Sequence, residues 1–332
     1  MTDRPTDAAP GEFDLIEQIF APLSAGVPGA FNLTDDAAVL AVEAGQELVL
    51  TKDAMVAGVH FLGTDSPSDV ARKLLRVNLS DLAAMGATPV GYLLAAFWPR
   101  DISMDWVRDF ARGLEQDQVQ FAVGLLGGDT VRTPGPLSLS LTALGRVPAG
   151  RALRRKGAKV GDLIVVSGSL GDGALGLLVL QDKISGLSVD HRDWLADRYH
   201  LPQPRVALGP SLIGQATACI DISDGLIADV GHICDVSQVG AEIRLDQLPL
   251  SSAAAAVLAR APALMDRVLA GGDDYELAFT VPPGTDRLLA ALARDADIPL
   301  TIIGEIVTGN EVRVLAADGS QYPVPQAGWQ HF

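Results

Sequence analysis

Short apolar runs that end in polar residues, each followed by a helical pattern, recur along this chain and most constrain its fold. The run ELVLTKD ends at Asp53, and the run FAVGLLGGDT ends in Gly128, Asp129 and Thr130. Strands that alternate with helices are typical of α/β architecture. A third run, PLSLSLTALG, alternates apolar with small polar residues, as a half-buried antiparallel strand does. We therefore predict an α/β fold of the α+β kind, with mixed rather than purely parallel sheets.

A basic segment that contains proline and glycine divides the pattern into two parts. This segment, RVPAGRALRRKGAKVGD, lies between two strand-like runs, as a boundary between domains commonly does. A chain of 332 residues is also long enough for two separate cores. We predict a flexible tail over residues 1–10, an N-terminal domain over residues 11–148 and a C-terminal α/β domain over residues 149–332.

The charge balance excludes some classes of partner. The chain has 41 acidic and 25 basic residues and a formal charge of −16, so we expect no extended surface for nucleic acid. The longest apolar stretch, DLIVVSGSLGDGALGLLVLQ, is interrupted by two aspartates and several glycines, so we expect no membrane span. The two cysteines form no CxxC motif, and the N-terminus does not resemble a secretory signal, which favours a cytoplasmic protein.

A GxGxxG motif follows the apolar run LIVVSG but is a weak signal here. Its glycines are Gly171, Gly173 and Gly176. A dinucleotide-binding unit also needs a second strand that ends in an acidic residue about 20 residues further on. The chain reads SGLSVDHRDW there, without a buried strand. We interpret the motif as a structural turn from strand to helix, and no P-loop motif is present anywhere in the chain.

Aspartates at the ends of apolar runs and beside glycines are the stronger signal. Each aspartate alone could be a turn former or a helix cap. As a set, they lie where open α/β sheets place their ligands. Oxygen ligands without a cluster of His or Cys favour Mg²⁺ over zinc, and Mg²⁺ in such sites commonly serves a nucleotide's phosphates. The set comprises Asp35, Asp36, Asp53, Asp81, Asp129, Asp221 and Asp224.

One predicted helix, around RVNLSDLAAMGATP, carries polar residues that packing alone does not explain. Asn78 and Asp81 lie one turn apart on one face. We interpret Asn78 as a structural residue with hydrogen bonds inside the helix, and Asp81 as a metal ligand. Asp69, which follows Ser66, is our expected N-terminal cap.

Several other residues have both a structural and a functional interpretation. His60 in GVHF is by default a buried structural histidine, although it could contact substrate. Arg155 belongs to a dense basic patch that is either a solvated linker or a polyphosphate contact. Asp273 in GGDDYE could form a tight turn or the rim of a pocket, and Trp329 could anchor the C-terminus or contact a ligand.

Together, these motifs resemble the thiamine-monophosphate kinase family. The resemblance runs from Gly11 to Phe332, through GEFDLI, DDAAVL, TKDAMVAGVHF, VNLSDLAAMGATP, GGDT, GRALRRKGAKVGD, DISDGLIADVGHI, GGDDYEL and GWQHF. NLSDLAAMGA and GGDT are shared with a wider superfamily that includes aminoimidazole ribonucleotide synthetase and selenophosphate synthetase. The motifs that narrow the resemblance to the kinase are GEF, VAGVHF, GGDDYEL and the terminal HF.

The resemblance implies a homodimer whose N-terminal domains, which bind ATP and Mg²⁺, contribute strands to a barrel. It implies ATP bound between the two domains with several Mg²⁺ ions, and thiamine monophosphate as the phosphoryl acceptor. The implied catalytic residues are Asp81, Asp129 and Asp224. The residues implied to contact ATP are Gly128, Asp129, Arg155 and Ser223. Those implied to contact thiamine monophosphate are His60, Asp273 and Trp329. The implied metal ligands are Asp36, Thr51, Asp53, Asp81, Asp129, Asp221 and Asp224.

The chain departs from the family pattern at three positions. NLTDD replaces the common GIGDD, Lys52 replaces a small hydroxyl residue, and Asp273 replaces a glutamate. Two alternatives to the kinase stay open: another ATP-dependent enzyme of the superfamily, and a regulator that binds nucleotide and Mg²⁺ without catalysis. Selenophosphate synthetase is disfavoured, because no cysteine or lysine precedes DD in the N-terminal segment.

Overall fold

The structure is a computed structural model that describes residues 12–324. Contacts between Cα atoms divide the chain into two compact units. The first unit comprises the chain up to Asn78 together with Pro89–Arg146, and the second comprises Leu79–Thr88 together with the chain from Val147 onward. The second unit begins close to the predicted boundary but also includes the short segment Leu79–Thr88, which the sequence analysis assigned to the N-terminal domain.

The first unit contains a four-stranded sheet and three α-helices among the described residues. The strand order is β1-β4-β2-β3, and β2 and β3 run parallel. In chain order, the elements are α1 (Glu12–Leu15), β1 (Gln46–Val56), α2 (Pro67–Ala84), β2 (Thr88–Pro99), α3 (Met104–Phe121), β3 (Gly124–Thr133) and β4 (Ser138–Pro148). Helix α2 and strands β2 and β4 extend beyond the unit at one end.

Strand β4 has the alternation that its sequence predicts. Leu139, Leu141 and Ala143 are buried, whereas Ser138 and the other intervening residues as far as Leu144 are only partly buried. A strand exposes successive side chains on opposite faces, so this pattern places one face of β4 against the core. The prediction of a half-buried strand is confirmed.

Helix α2 is buried around most of its circumference in the first unit, because a charged network satisfies its polar side chains. Asp117 of α3 accepts hydrogen bonds from Arg76 Nε at 2.7 Å and Nη2 at 2.9 Å, and from Arg72 Nε at 3.0 Å. Arg76 and Asp117 are at most 1% exposed. Such a pair is tolerated in a core only when its hydrogen bonds are complete.

The start of α2 differs from the prediction, because Ser66 rather than Asp69 is its cap. The Ser66 hydroxyl accepts a hydrogen bond from the Asp69 N–H at 3.1 Å and donates one to the Asp69 carboxylate at 2.8 Å. Pro67 is the first helical residue, a position where the missing N–H costs nothing. Asp69 is therefore the third helical residue, whose N–H the Ser66 side chain caps.

The second unit contains a seven-stranded mixed sheet of strand order β11-β10-β7-β9-β5-β8-β6. Strands β7 and β10 run parallel, and the other neighbouring pairs run antiparallel. The prediction of mixed sheets is confirmed. In chain order, the elements are β5 (Leu163–Ser167), α4 (Asp172–Leu180), α5 (Val189–His200), α6 (Leu208–Ser211), β6 (Ala218–Asp221), α7 (Leu226–Ser237), β7 (Gly240–Arg244), α8 (Ser252–Arg260), α9 (Met265–Ala270), β8 (Leu277–Val281), α10 (Asp286–Ala296), β9 (Leu300–Val307), β10 (Val312–Leu315) and β11 (Gln321–Tyr322).

The GxGxxG motif at the start of α4 serves packing, as its sequence context indicates. A Cβ atom at Gly173 would lie 2.1 Å from the carbonyl oxygen of Asp273, and one at Gly176 would lie 2.1 Å from that of Leu195. Gly171 adopts a φ of 82° and lies against Val268. Protein atoms therefore fill the space beside these glycines. Among residues 12–324, no helix is long and apolar enough to cross a membrane.

Candidate active site

A cavity of about 650 Å³ in the first unit brings together part of the predicted site. Asp36, Gly128 and Asp129 line it, together with Asp35 and Thr34. The rest of its wall is largely apolar, and includes Leu33, Leu40, Leu93, Leu125 and Leu144. A cavity with a few polar groups on an apolar wall is the usual form of a small-molecule site.

Two predicted ligands, Asp53 and Asp129, lie inside strands rather than at strand ends, so that part of the prediction is wrong. Strand β1 continues to Val56, and β3 continues to Thr133. Within β3, Gly128 is needed because β2 approaches closely: a Cβ atom there would lie 1.9 Å from the carbonyl oxygen of Leu94. Gly128 therefore permits the pairing of β3 with β2 near the register shift at Tyr92 and Leu93, and the glycine pair does not form a turn.

Asn78 connects α2 to the strand that carries Asp53. Its side chain is fully buried, its Nδ2 donates to the Leu74 carbonyl at 2.9 Å, and its Oδ1 accepts from the Asp53 N–H at 3.1 Å. The predicted hydrogen bond inside the helix is confirmed. The second bond shows that Asn78 also holds the backbone of β1 at Asp53.

The side chains of Thr51 and Asp53 share one face of β1, and Lys52 projects from the other. Thr51 and Asp53 are partly buried, as is typical of the face that carries the buried Met55, whereas Lys52 is exposed. Successive strand residues point to opposite faces. Lys52 therefore does not share the face of the two predicted metal ligands.

His60 lies in the turn that follows β1 and is held by backbone contacts. Its Nδ1 accepts a hydrogen bond from the Val56 N–H at 3.1 Å, and its own N–H donates to the Val56 carbonyl at 3.0 Å. An Nδ1 that accepts from an amide carries no proton, so the neutral ring carries its proton on Nε2. The ring is therefore fixed with a donor on Nε2.

In the second unit, Asp221 and Asp81 belong to two different elements. Asp221 is the last residue of β6, as predicted, and its buried carboxylate accepts a hydrogen bond from the Ser80 hydroxyl at 2.8 Å. Asp81 follows Ser80 in the last turns of α2 and is partly buried. Ser80 therefore orients the carboxylate of Asp221, and the next residue in the chain, Asp81, is also a predicted metal ligand.

The loop that follows β6 carries Ser223 and Asp224, both partly buried. Its backbone N–H groups at Ser223, Asp224 and Gly225 donate to the carboxylate of Asp229. Burial, with the nearby Asp224 carboxylate as a lesser cause, raises the pKa of Asp229 to about 7.

Asp273 lies in a loop with several left-handed residues that packs against the Ser223 loop. The φ angles of Gly272, Asp273 and Tyr275 are 71°, 66° and 52°. The Asp273 N–H donates to the Ser223 carbonyl at 2.9 Å, and the Tyr275 hydroxyl donates to the Asp273 carboxylate at 3.3 Å. The backbone of Asp273 is thus held next to that of Ser223.

Two further acids of this motif, Asp274 and Glu276, are buried and hydrogen-bonded. Asp274 accepts from the N–H groups of Gly171 at 2.8 Å and Gly173 at 3.3 Å, and burial raises its pKa to about 8. Glu276 accepts from Ser167 at 2.6 Å and from Arg198 at 2.8 Å, and also pairs with Arg205. These acids hold the loop in place.

Arg155 is exposed in the segment between β4 and β5. The preceding residue, Arg154, accepts a hydrogen bond from the Cys219 N–H of β6 through its carbonyl at 2.9 Å. The basic segment therefore follows the edge of the sheet in the second unit, which leaves the guanidinium of Arg155 open to solvent. Both interpretations of the basic patch, a solvated linker and a polyphosphate contact, therefore stay open.

The predicted metal ligands supply oxygen atoms, which are the atoms that Mg²⁺ prefers. Within residues 12–324, no group of three or more His, Cys, Asp or Glu side chains is close enough together to hold a metal ion. Carboxylate and hydroxyl donors nevertheless fit Mg²⁺ chemically. Trp329 lies outside the described residues.

Comparisons with known proteins cover almost the whole chain. Residues 34–147 match the family described as AIR synthase related protein, N-terminal domain, and residues 159–316 match the corresponding C-terminal domain. A thiamine-monophosphate kinase from Caulobacter vibrioides is 44% identical over 98% of this chain and 92% of its own length. The chain belongs to the thiamine-monophosphate kinase family.

Solved structures of the thiamine-monophosphate kinase family agree with this assignment. The kinase from Stenotrophomonas maltophilia has a TM-score of 0.84 at 43% identity, over 94% of this chain and 98% of its own. A structure described as AaThiL complexed with AMPPCP and TMP has a TM-score of 0.76 at 30% identity, over 100% of this chain and 99% of its own.

One departure from the family pattern has a visible backbone consequence. Phe31, Asn32 and Leu33, just before the DD pair, have φ angles of 50°, 53° and 56°. This left-handed region suits glycine, so non-glycine residues adopt it at a cost. When NLTDD is aligned with the family's GIGDD, the first glycine stands at Asn32, so among these three residues only Asn32 replaces a family glycine.

The sequence analysis missed Ser80, Asp229 and the second hydrogen bond of Asn78. Ser80 lies 141 residues from its partner Asp221, and no local pattern predicts such a pair. A local pattern could have indicated Asp229, which follows Asp224 by five residues in DISDGLIAD. At that spacing, a carboxylate in the first turn of the helix can accept hydrogen bonds from the unpaired N–H groups at the helix start.

Proposed function

We propose that this chain transfers the γ-phosphoryl group of ATP to the phosphate of thiamine monophosphate, giving thiamine diphosphate and ADP. One observation carries the proposal: the relative that covers the whole chain is described as complexed with AMPPCP and TMP, an ATP analogue and the acceptor. The cavity lined by Asp36, Gly128 and Asp129 supports it, since it has the size and the mixed lining of a small-molecule site.

The chemistry requires positioning more than proton transfer. The acceptor phosphate is already an oxyanion at neutral pH, so the reaction needs no general base. The barrier is the approach of two polyanions in line, and catalysis of this class comes chiefly from orientation and electrostatic stabilisation. The residues of this chain therefore bind and orient the two phosphates.

The residues that would hold Mg²⁺ are acids and one hydroxyl. Bound Mg²⁺ would neutralise charge on the phosphates of both substrates. Asp81, Asp129 and Asp224 are the ligands to which we assign the catalytic role. The full proposed ligand set is Asp36, Thr51, Asp53, Asp81, Asp129, Asp221 and Asp224.

Further residues would bind the substrates directly. The residues that would contact ATP are Gly128, Asp129, Arg155 and Ser223. The exposed guanidinium of Arg155 can bind a phosphate through two N–H groups. His60, with its proton on Nε2, would donate to the phosphate of thiamine monophosphate. Asp273 would attract the cationic thiazolium.

Trp329 would complete the thiamine site by placing an aromatic face against the cationic ring. Replacing it by alanine should raise the KM for thiamine monophosphate while the KM for ATP stays unchanged. Equal effects on both KM values would contradict this assignment.

The chain would act as a homodimer through the open face of the first sheet. Large apolar side chains are 38–63% exposed on three strands of this sheet: Leu50 on β1, Leu93 and Phe97 on β2, and Val131 on β3. Exposed apolar side chains that cluster on one surface are typical of an interface. Phe97 and Val131 lie opposite each other in the β2–β3 register. Phe97→Asp should convert a dimer to a monomer in light scattering. A wild-type monomer would contradict the proposal.

We place the enzyme in the cytoplasm. Cys219 and Cys234 are both buried and form no disulfide, as in proteins of reducing compartments. Cell fractionation followed by immunoblotting tests this placement, and recovery in an exported fraction would contradict it.

The decisive experiment combines purified protein, ATP, Mg²⁺ and thiamine monophosphate, and follows both ADP and thiamine diphosphate. Equal amounts of the two products are expected. ADP formation only with a different acceptor would instead identify another enzyme of the superfamily. Nucleotide binding without turnover on any acceptor would identify a regulator.

A further inference from the structure

A single buried carboxylate collects three consecutive backbone amides beside the DISDG motif. Asp229, in the first turn of α7, accepts through Oδ2 from the N–H groups of Ser223, Asp224 and Gly225 at 3.0, 3.0 and 3.1 Å. It is 2% exposed, and its own N–H donates to the Gly225 carbonyl at 3.0 Å. Asp229 is therefore bonded to both the amides and a carbonyl of this loop.

This arrangement is more than an ordinary helix cap. A residue at the cap position usually satisfies one or two amides with an exposed side chain. Here a buried side chain within the helix serves the amides that precede it, although burying a carboxylate is costly unless its hydrogen bonds compensate. The free N–H groups before a helix can also bind phosphate, but in this loop Asp229 already occupies them. The amides therefore act on the shape of the loop and not on a ligand.

The carbonyl groups of the same loop are held from the other side. The Ile222 carbonyl accepts from the Tyr275 N–H at 2.8 Å, and the Ser223 carbonyl accepts from the Asp273 N–H at 2.9 Å. The backbone of the loop is therefore committed to internal bonds on both sides. What the loop presents to a ligand is the side chains of Ser223 and Asp224.

We propose that Asp229 is a positioning residue for the phosphoryl transfer. By holding the amides of residues 223–225, it sets the direction of the Ser223 hydroxyl and the Asp224 carboxylate, which contact the nucleotide and its metal. Asp229 itself touches neither substrate. This inference rests on the proposed function, since it assigns Asp229 to the nucleotide part of that same site.

The test compares Asp229→Leu with Asp229→Asn and a matched control. Leucine fills the buried space but leaves the three amides without their acceptor, so a lower free energy of unfolding is expected in this variant. Asparagine keeps one carbonyl oxygen. The control is Asp162→Asn, because Asp162 is a 4% exposed carboxylate that accepts from the Lys159 N–H at 2.9 Å and the Thr217 hydroxyl at 2.7 Å.

Three measurements are made on the full chain. Hydrogen–deuterium exchange reports the amides of residues 223–225, calorimetry reports the Kd for AMPPCP with Mg²⁺, and steady-state kinetics report kcat and KM for ATP. In Asp229→Leu, we expect faster exchange at these amides and a loss of about 10- to 100-fold in affinity and in kcat/KM. Asp229→Asn should lie between this variant and the wild type, and the control should bind like the wild type.

A purely structural role predicts a different outcome. An Asp229→Leu protein that melts lower but binds AMPPCP and exchanges its loop amides like the wild type would overturn the proposal. If Asp229→Leu does not fold by circular dichroism, an Asp229→Asn protein that exchanges these amides and binds AMPPCP like the wild type would also overturn it. Exchange and binding do not depend on turnover, so a wild type without kinase activity would refute the proposed function and leave this test intact.

Discussion

Asp129→Asn should separate activity from stability, because the Asp129 side chain contributes little to the fold. Asp129 is exposed in β3, and its Oδ1 accepts from the Thr130 N–H at 2.8 Å. An asparagine side chain has nearly the same shape and keeps an oxygen in that position. The substitution thus removes one negative charge without removing this hydrogen bond.

The expected magnitudes follow from this geometry. A surface substitution that preserves its contacts changes the free energy of unfolding by less than about 0.5 kcal/mol, which corresponds to a shift in Tm of at most about 2 °C. Loss of one preorganised electrostatic group in the site should lower kcat by about 100- to 1,000-fold. The effect on turnover therefore greatly exceeds the effect on folding.

The assay measures ADP release by a coupled reaction at saturating Mg²⁺, beside thermal unfolding of the same samples. Asp105→Asn is the matched control: Asp105 is 94% exposed, and its partner is the exposed Arg108 at 2.9 Å. The control should keep wild-type turnover. If Asp129→Asn retains at least about one third of wild-type turnover, or if its Tm falls by more than about 5 °C, the assigned role is wrong.

Three further predictions concern buried polar groups. Asn78→Leu should lower the free energy of unfolding by about 1–3 kcal/mol in chemical denaturation, since it leaves the Asp53 N–H without its acceptor; an unchanged midpoint would contradict this. Asp117→Ala should lower the free energy of unfolding by about 3–5 kcal/mol, because it leaves the buried Arg76 guanidinium without its carboxylate. A smaller decrease in the free energy of unfolding than that of Asn78→Leu would contradict this role of Asp117. The pKa of Asp274 is raised to about 8 in the folded state, so the folded protein binds this proton more tightly than the unfolded chain does. The contribution of Asp274 to the free energy of unfolding is therefore complete below about pH 4 and falls as the pH rises to about 8. The dependence of Tm on pH should therefore be weaker in Asp274→Asn over that window, and an identical profile would refute the assignment.

Local sequence patterns predicted the features that depend on near neighbours. The alternation in β4 was predictable because burial of one face imposes a period of two residues. The motif at Gly171 was correctly interpreted as structural because the following segment lacked a second strand, and α5 occupies that segment. The mixed sheet was predicted for the same reason: the strand with alternating polarity was incompatible with a purely parallel sheet.

Predictions that depended on the position of a residue within an element were less successful. Asp53 and Asp129 were expected at strand ends, but strand pairing continues past both of them. The pairing partners that extend these strands are distant in sequence, so the polar residues could not be recognised as part of the strand. The assignment of the cap to Asp69 failed because Ser66 and Asp69 are both good cap residues, and only the observed hydrogen bonds distinguish them.

The sequence by itself determined the fold class, the family and the identity of the acidic motifs, because apolar periodicity and short motifs are local properties of the chain. The tertiary structure decided how those motifs are held. Asn78 reaches Asp53 across 25 residues, and Ser80 reaches Asp221 across 141. Such contacts form only when separate elements pack together, and a hydrogen bond between distant residues has no sequence period by which it could be recognised. The packed structure alone therefore shows which polar residues hold the acidic motifs in place.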